Sequence, residues 1–169
     1  SNVTWSNDYT TLSDDCGATG AAIVTFTATD DCGNATNTTA QFIIIDTVNP
    51  SIDTAPQDET VECDGSGNTA ALNAWLAANG NAIATDDCGN ITWTNDYTAL
   101  SDECGATGTT TVIFTATDDC GNATTASANF TIEDTASPDI TSPATDLNLE
   151  CDAANQDAAI TAWLTVNGN

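Results

Sequence analysis

The sequence has no lysine, arginine or histidine, whereas aspartate and glutamate together supply 25 of its 169 residues. Without a cationic side chain no salt bridge can form between side chains, so each carboxylate must be hydrated, hydrogen-bonded or neutralised by a cation from outside the chain. Metal cations are the obvious candidates, although acidity alone would also give solubility in salty surroundings. The same charge excludes nucleic acids and anionic membrane surfaces as partners, because a polyanion is repelled by both and has no counterions to release.

Two further absences restrict the classes of function that the chain could have. Histidine and lysine, which often serve as general bases or activate nucleophiles, are missing, and no acidic residue stands alone in an apolar setting that would raise its pKa. We therefore expect that the chain is not an enzyme. No apolar stretch is long enough to span a membrane and no signal peptide opens the chain, so we expect no membrane insertion and a sequence that belongs to a longer secreted protein.

The chain repeats itself at a fixed distance. Residues 1–81 align without a gap with residues 89–169 at an offset of 88, and 46 of these 81 positions are identical. The stretch at 26–36 recurs letter for letter at 114–124. A constant period of this size indicates tandem copies of one small domain.

Seven cysteines follow the same repeat. The first set comprises Cys16, Cys32, Cys63 and Cys88, and the second begins with Cys104, Cys120 and Cys151. Four cysteines in a small unit, with no histidine and no C-x-x-C motif, favour disulfides over zinc and an oxidising, extracellular setting.

Alternating apolar and hydroxyl residues predict an antiparallel hairpin around each Asp-Asp-Cys-Gly-Asn turn. Residues that the two copies share should form the buried face. These are Val24, Phe26, Ala28, Ala40, Phe42 and Ile44, with their counterparts Val112, Phe114, Ala116, Ala128, Phe130 and Ile132. An earlier strand in each copy is expected to place a tryptophan in the core; its apolar residues are Val3 and Trp5, and Ile91 and Trp93.

Each copy also has the pattern of one short helix that covers the sheets. The positions that predict it are the N-caps Thr69 and Asp157, the apolar residues Leu72, Trp75 and Leu76, and the terminal glycines Gly80 and Gly168.

These patterns predict a mainly β protein built of tandem Ig-like β-sandwich repeats of 88 residues, each with one short inserted α-helix. Proline-containing junctions divide the chain into 1–49, the C-terminal part of one repeat; 50–137, a complete repeat; and 138–169, the N-terminal part of the next. Either the sequence is a slice of a longer polypeptide, which we favour, or successive subunits complete each other by strand exchange.

The motifs resemble a known family. They are Val61-Glu-Cys-Asp64, Asp86-Asp-Cys-Gly-Asn90, Trp93-Thr-Asn-Asp-Tyr97, Cys104-Gly-Ala-Thr-Gly108 and Val112 to Asn122. Over essentially the whole chain they resemble the HYR-like domain with four cysteines, which occurs in very large secreted surface proteins of Bacteroidota, including relatives of gliding-motility adhesins. The resemblance implies an Ig-like fold, export to the cell surface, a role as stalk, adhesin or filament, and no catalytic residues. Three Asp-Thr-Ala/Val triplets resemble the O-glycosylation site of such proteins, at Thr47, Thr54 and Thr135.

Calcium is the cofactor that the acidic turns predict. In an Ig-like sandwich, the turn before the tryptophan strand and the hairpin turn lie at one end, where the preceding linker also arrives, and calcium needs six to eight oxygen ligands. The predicted ligands are Asp46, Asp86, Asp87, Asn90, Asp118, Asp119 and Asn122, with Asp30, Asp31 and Asn34 at the equivalent turn of the first copy.

The pairing of the cysteines stays open, because four cysteines allow three connectivities. We prefer Cys63 with Cys88, Cys16 with Cys32, and Cys104 with Cys120, although a strand of roughly 30 Å separates the loops of the last two pairs. The alternative is Cys88 with Cys104 and Cys32 with Cys63, which leaves Cys16 unpaired.

Together these observations predict a structural repeat segment of an extracellular adhesin or surface filament, stiffened by disulfides and calcium, whose partners are neighbouring repeats or subunits of the same protein. The alternative is a secreted module whose Thr/Asn-rich face binds carbohydrate or a solid surface.

Overall fold

A computed structural model describes residues 2–151 and 156–167. The fold is mainly β, and the chain divides into two compact units, Ser1–Asp134 and Thr135–Asn169. In the described ranges, no helix is long and apolar enough to cross a membrane. The elements in chain order are β1 (Val3–Asn7), β2 (Gly20–Asp30), β3 (Ala35–Ile44), β4 (Ser51–Thr54), β5 (Glu59–Glu62), α1 (Thr69–Ala77), β6 (Ile83–Thr85), β7 (Thr92–Asn95), β8 (Gly108–Thr117), β9 (Ala123–Glu133) and α2 (Gln156–Thr165).

The repeated sequence folds twice into the same antiparallel arrangement. The three-stranded sheet has the order β1-β2-β3, and the four-stranded sheet has the order β5-β9-β8-β7. Trp5 pairs with Ala28 in the first sheet, and Trp93 pairs with Ala116 in the second. Each residue of the second pair is 88 positions beyond its counterpart, since 5 + 88 = 93 and 28 + 88 = 116. The predicted hairpins are confirmed in both copies, because β2 pairs antiparallel with β3 and β8 pairs antiparallel with β9.

The core of the first unit lies between α1 and the sheet of β5, β9, β8 and β7. Trp75 of α1 packs against Phe114 and Phe130, with ring centroids 5.2 and 5.5 Å apart. Both phenylalanines are fully buried, as the comparison of the copies predicts. Trp93 packs against this core as expected. The periodicity of 2 along β8 and β9 places their shared apolar face under the helix.

Much of the same face of the first sheet is exposed, although Val24 is buried. Trp5 is 65% exposed and Phe42 is 58% exposed, so the expectation that Val3 and Trp5 fill a core is wrong for this copy. The physical reason is that the elements that cover this face in the second copy, α1 and β5, pack on the four-stranded sheet. Two phenylalanines that the copies share are thus fully buried in the second copy, as Phe114 and Phe130, and exposed in the first, as Phe26 and Phe42.

The strands next to the helix in the chain belong to two different sheets. β5 extends the four-stranded sheet in parallel, with Val61 opposite Ile132. β4 and β6 form a separate antiparallel pair in which Ile52 lies opposite Ala84. The strand β6 leads directly into the acidic turn at Asp86.

The prediction that Thr69 and Asp157 are N-caps is wrong, because both residues lie inside their helices. The cap of α1 is Asn68, with φ of 49°, and Thr69 is the first helical residue. Asn68 is suited to this position because its side chain donates to the Glu62 carbonyl oxygen (2.8 Å) and accepts from the Asp64 N–H (3.0 Å). Asp157 lies in the first turn of α2, where the positive end of the helix dipole stabilises its carboxylate. Gly80, with φ of 63°, follows α1 as predicted, and Gly168 lies outside the described residues.

Candidate cation site and disulfide at the junction

The loop before β2 rests on the turn before β7. The N–H of Ala18 donates a hydrogen bond to the Cys88 carbonyl oxygen at 2.7 Å. Gly17 has φ of +54°, and a Cβ at this position would collide with the same carbonyl group. Glycine is therefore required here both for its conformation and for its size. We call the region of residues 13–19, 46–51, 85–90 and 118–122 the junction, because it brings the first copy against the second.

A disulfide bond joins the two copies at the junction. It links Cys16 to Cys120, 104 positions apart, with a Cα–Cα distance of 5.1 Å. Each cysteine is held by its own turn: the Cys120 N–H donates to Asp118 Oδ1 at 2.8 Å, and the Thr19 hydroxyl donates to the Cys16 carbonyl oxygen at 2.6 Å. The bond therefore crosslinks two preformed turns from different repeats.

This bond corrects two of the expected pairings, Cys16 with Cys32 and Cys104 with Cys120. In each copy the two cysteines lie at opposite ends of a long strand, β2 or β8. The 11 residues of β2 span about 35 Å at 3.2–3.4 Å per residue, far beyond the reach of a disulfide. A partner in the neighbouring copy avoids this distance.

The expected bond between Cys63 and Cys88 is also absent from the described residues. The Cys63 N–H donates to the Glu133 carbonyl oxygen (2.7 Å) at the end of β9, whereas Cys88 lies near Asp118, before β9 starts. The 11 residues of β9 separate them by about 35 Å. The alternative pairs, Cys88 with Cys104 and Cys32 with Cys63, are not formed either, and the thiols that remain free are those of Cys32, Cys63, Cys88, Cys104 and Cys151.

Beside the disulfide, the junction contains an acidic cavity of about 270 Å³. The ligand atoms of Asp46, Asp86 and Cys88 lie within 4.8 Å of one another. Asp46 comes from the linker after β3, and the other two come from the turn after β6. The cavity is also lined by Val48, Asn49, Ser51, Thr85 and Asp87.

One carboxylate oxygen in this cavity has no partner. Asp46 Oδ1 accepts a hydrogen bond from the Val48 N–H at 2.9 Å, but Asp46 Oδ2 is buried without a hydrogen bond among the described residues. The Asn122 side chain donates to the main-chain oxygen of Asp46 at 3.5 Å, which ties the linker to the hairpin turn. A buried, unpartnered carboxylate oxygen is costly unless a cation or water neutralises it.

The cavity is strongly negative. Burial raises the pKa of the Cys88 thiol, and the nearby carboxylates of Asp46, Asp86, Asp87 and Asp118 raise it further. The thiol therefore stays protonated at neutral pH, and the carboxylates supply the negative charge. A thiol in this form is a poor metal ligand, so the donor set suits a hard cation that prefers oxygen.

Asp118 and Asn122, also predicted as ligands, instead organise the hairpin turn. Asp118 accepts hydrogen bonds from the N–H groups of Cys120 (2.8 Å) and Asn122 (2.9 Å) and from the Asn122 side chain (2.9 Å). Burial alone would raise the pKa of Asp118, but these hydrogen bonds bring it below its ordinary value. Both carboxylate oxygens are thus occupied within the turn.

Asp119 and Asn90 join the two turns of the second copy to each other. Asp119 Oδ2 accepts from the Asn90 N–H at 2.9 Å and from its side chain at 3.2 Å. Among the predicted ligands, the structure therefore brings Asp46 and Asp86 together, lines their cavity with Asp87, and uses Asp119 and Asn90 beside it.

The predicted ligands of the first copy lie elsewhere. Asp30 accepts from Cys32 and Asn34 as Asp118 does in the second copy, and hydrogen bonds from Asn34 are the main reason that the pKa of Asp30 is lowered. Asp31 accepts from the Asn2 N–H at 3.0 Å. These residues are at the far end of β2 from the junction, so they do not join the cation site. The predicted glycosylation sites Thr47, Thr54 and Thr135 are exposed, and their modification stays a prediction.

Sequence reasoning missed two features of the junction. It considered only pairs of cysteines that are close in the sequence, such as Cys16 with Cys32 or Cys88 with Cys104, and did not consider Cys16 with Cys120. It also omitted Cys88 from the acidic cluster, because its position was assigned to a disulfide.

No protein-family model and no curated protein matches the chain. Among solved structures, that of mouse clustered PcdhgC3 EC1-3 is similar, with 12% sequence identity and a TM-score of 0.27. The alignment covers 70% of this chain and 44% of that one, so the chain spans less than half of that structure.

Proposed function

We propose that this chain is a structural repeat segment of an extracellular adhesin or surface filament, in which a disulfide and calcium hold successive repeats together. The observation that carries the proposal is the covalent bond between Cys16 of the first copy and Cys120 of the second. The role is mechanical and not catalytic, and it agrees with the resemblance to HYR-like domains.

The disulfide changes how the chain carries a pulling force. A force that enters from the N-terminal side reaches Cys16 and passes through the sulfur atoms to Cys120. Residues 17–119, which include α1, β7 and β8, are then shielded from extension. A repeat joined in this way lengthens far less than a free chain of the same size.

Calcium is the cation proposed for the acidic cavity. Asp46, Asp86 and Asp87 would hold it through carboxylate oxygens, and main-chain oxygens or water would complete the six to eight ligands that calcium takes. When bound, calcium neutralises the carboxylates and links the segment after β3 to the turn before β7. The unpartnered Asp46 Oδ2 supports this assignment.

The disulfide also bears on the compartment in which the protein works. Disulfides persist in oxidising compartments, so a repeat that depends on one belongs outside the cytosol. Its partners would be neighbouring repeats of the same protein, because the junction already shows one copy bound to another.

Single-molecule stretching of the full chain tests the proposal. Reduction should release residues 17–119, which the sequence separation of 104 encloses, and add about 340–370 Å of contour length. The C16S variant should show the longer extension without reductant. Equal lengths for oxidised and reduced wild-type protein would overturn the mechanical role.

A further inference from the structure

The disulfide bond and the acidic cavity lie on the same two turns of the junction. Asp86 of the cavity belongs to the turn before β7, and Cys120 of the bond belongs to the hairpin turn between β8 and β9. A Cβ atom at Gly89 in the first of these turns would lie 2.8 Å from Asp119 Oδ2 in the second. The two turns are therefore closely packed, and a movement of one would displace the other.

The Cys16 side of the bond reaches the cavity through hydrogen bonds of the main chain. Cys16 lies two residues before Ala18, whose N–H donates to the Cys88 carbonyl oxygen at 2.7 Å. The Cys88 N–H donates in turn to Asp86 Oδ1 at 2.8 Å, which holds this carboxylate in its turn. The loop that carries Cys16 is thus in contact with the residue that orients Asp86.

The Cys120 side of the bond reaches the other carboxylate of the cavity. Cys120 lies two residues before Asn122, whose side chain donates to the main-chain oxygen of Asp46 at 3.5 Å. This contact joins the hairpin turn to the linker after β3. The disulfide therefore holds together the two chain segments from which Asp46 and Asp86 enter the cavity.

Closure of the cavity is opposed by its own negative charge. Asp46, Asp86 and Asp87 line it, and the chain has no lysine, arginine or histidine to offset their charge. Carboxylates that are held close together repel each other, and burial strengthens the repulsion. A disulfide opposes this repulsion by a covalent constraint and a cation opposes it by its charge. Each therefore makes the other more favourable.

From these contacts we infer that the redox state of Cys16 and Cys120 regulates the cation site: the disulfide raises the affinity of the cavity for calcium, and bound calcium protects the disulfide from reduction. The inference rests on the proposed function, because it takes calcium as the cation. The two effects are equal in size, since a coupling free energy between two sites acts in both directions. Couplings of this kind change an affinity by roughly 5–150-fold.

The redox step is a two-electron reduction by glutathione. Two glutathione thiols give up two protons and two electrons and become one glutathione disulfide, while the S–S bond breaks and leaves the thiols of Cys16 and Cys120. For a two-electron couple, a tenfold change in the equilibrium constant corresponds to about 30 mV. Saturating calcium should therefore make the reduction potential more negative by about 20–65 mV.

Calorimetric titration of the full chain with calcium tests the first effect. It is done in about 0.15 M NaCl, where charges are screened beyond about 8 Å. The C16S/C120S double variant should bind calcium roughly 5–150-fold more weakly than the oxidised wild type. C32S is the matched control, because it removes an exposed cysteine at the far end of β2, and it should bind calcium as the wild type does.

W75A separates a local effect of the bond from a general loss of stability. Trp75 packs on Phe114 and Phe130 in the core and does not line the cavity. The variant therefore destabilises the first unit and leaves the lining of the cavity unchanged. It should keep the calcium affinity of the wild type at a temperature at which circular dichroism shows both variants folded.

A redox titration of the wild type tests the second effect without altering the bond. The protein is equilibrated in glutathione buffers with calcium or with EDTA, and an unreduced peptide map gives the fraction in which Cys16 is linked to Cys120. Calcium should shift the midpoint by about 20–65 mV to more negative potential. D46N should remove the shift, and D102N should keep it.

Three results would overturn the inference: equal calcium affinity of C16S/C120S and the wild type, a loss of affinity in W75A as large as in C16S/C120S, or the same midpoint in calcium and in EDTA. Equal calcium binding with and without the disulfide would remove the coupling and leave the proposed calcium site in place. An absence of calcium binding in every form would overturn the calcium site as well.

Discussion

Two carboxylates at the junction differ in whether the fold supplies them with hydrogen-bond donors. Asp118 is surrounded by donors from its own turn, whereas Asp46 Oδ2 is buried with no donor among the described residues. No cation in the sequence can reach Asp46, since the chain has no lysine, arginine or histidine. The charge of Asp46 is therefore the part of the junction that most needs an ion.

Calcium should stabilise the chain through Asp46. Added calcium is expected to raise the Tm, with a gain of about 2.7 kcal/mol when free calcium is a hundredfold above the Kd. D46N should weaken calcium binding at least tenfold, because it removes one charged ligand. Calorimetric titration and thermal unfolding measure both effects.

D102N is the matched control for D46N, since Asp102 is exposed and lies before β8, away from the cavity. It removes the same charge and should leave calcium binding unchanged. An identical Tm in calcium and in chelator would contradict the site.

The pKa of the Cys88 thiol depends on the negative charges that surround the cavity. Burial and four neighbouring carboxylates raise its pKa, so it should be alkylated more slowly at pH 8 than the exposed Cys32. D86N removes one of those negative charges, and it should shift the pH profile of Cys88 alkylation to lower pH. Peptide-resolved mass spectrometry after timed alkylation gives the profile; an unshifted D86N profile would show that the carboxylate does not act on the thiol.

Among the elements, α1 decides whether a copy has a core. Trp75 is 4% exposed and contacts both phenylalanines of the sheet, whereas Trp163 of α2 is only half-buried. A tryptophan at the same position of the helix therefore contributes more to the free energy of unfolding in the first unit than in the second.

W75A should destabilise the first unit by about 3–5 kcal/mol, because it leaves a cavity against Phe114 and Phe130. W163A is the matched control and should change the unfolding of this unit little. Urea unfolding followed by circular dichroism measures the difference; equal losses for the two variants would contradict the core described here.

Comparison of the two copies predicted the hairpins and the buried face of β8 and β9 correctly. The comparison was wrong for Trp5 and Phe42, which are exposed. A pattern of apolar residues identifies an apolar face of a sheet, but it does not show whether another element covers that face. Asp46 and Asp86 were predicted to meet because linker and turn share one end of the fold. The roles of Asp118 and Asp119 were missed, since turn geometry decides whether a carboxylate faces a cavity or its own backbone.

At the scale of the whole molecule, stability depends on the bond between copies. The disulfide closes a loop of about 100 residues, and in the loop-entropy description its removal costs about 4–5 kcal/mol. C16S and C120S should each lower the stability of the first unit by this order in urea unfolding, and C151S should not. Reductant should affect the wild type and leave C16S unchanged; a wild type insensitive to reductant would show that the bond contributes nothing.

The pairing of Cys16 with Cys120 is the central claim, and an unreduced peptide map tests it most directly. Trypsin has no site in this chain, so the protein is alkylated, digested before aspartate and weighed without reduction. The account predicts that peptide 15–29 is linked to peptide 119–133 and that reduction separates them. Peptide 15–29 linked to 31–45, or found alone and alkylated, would contradict it.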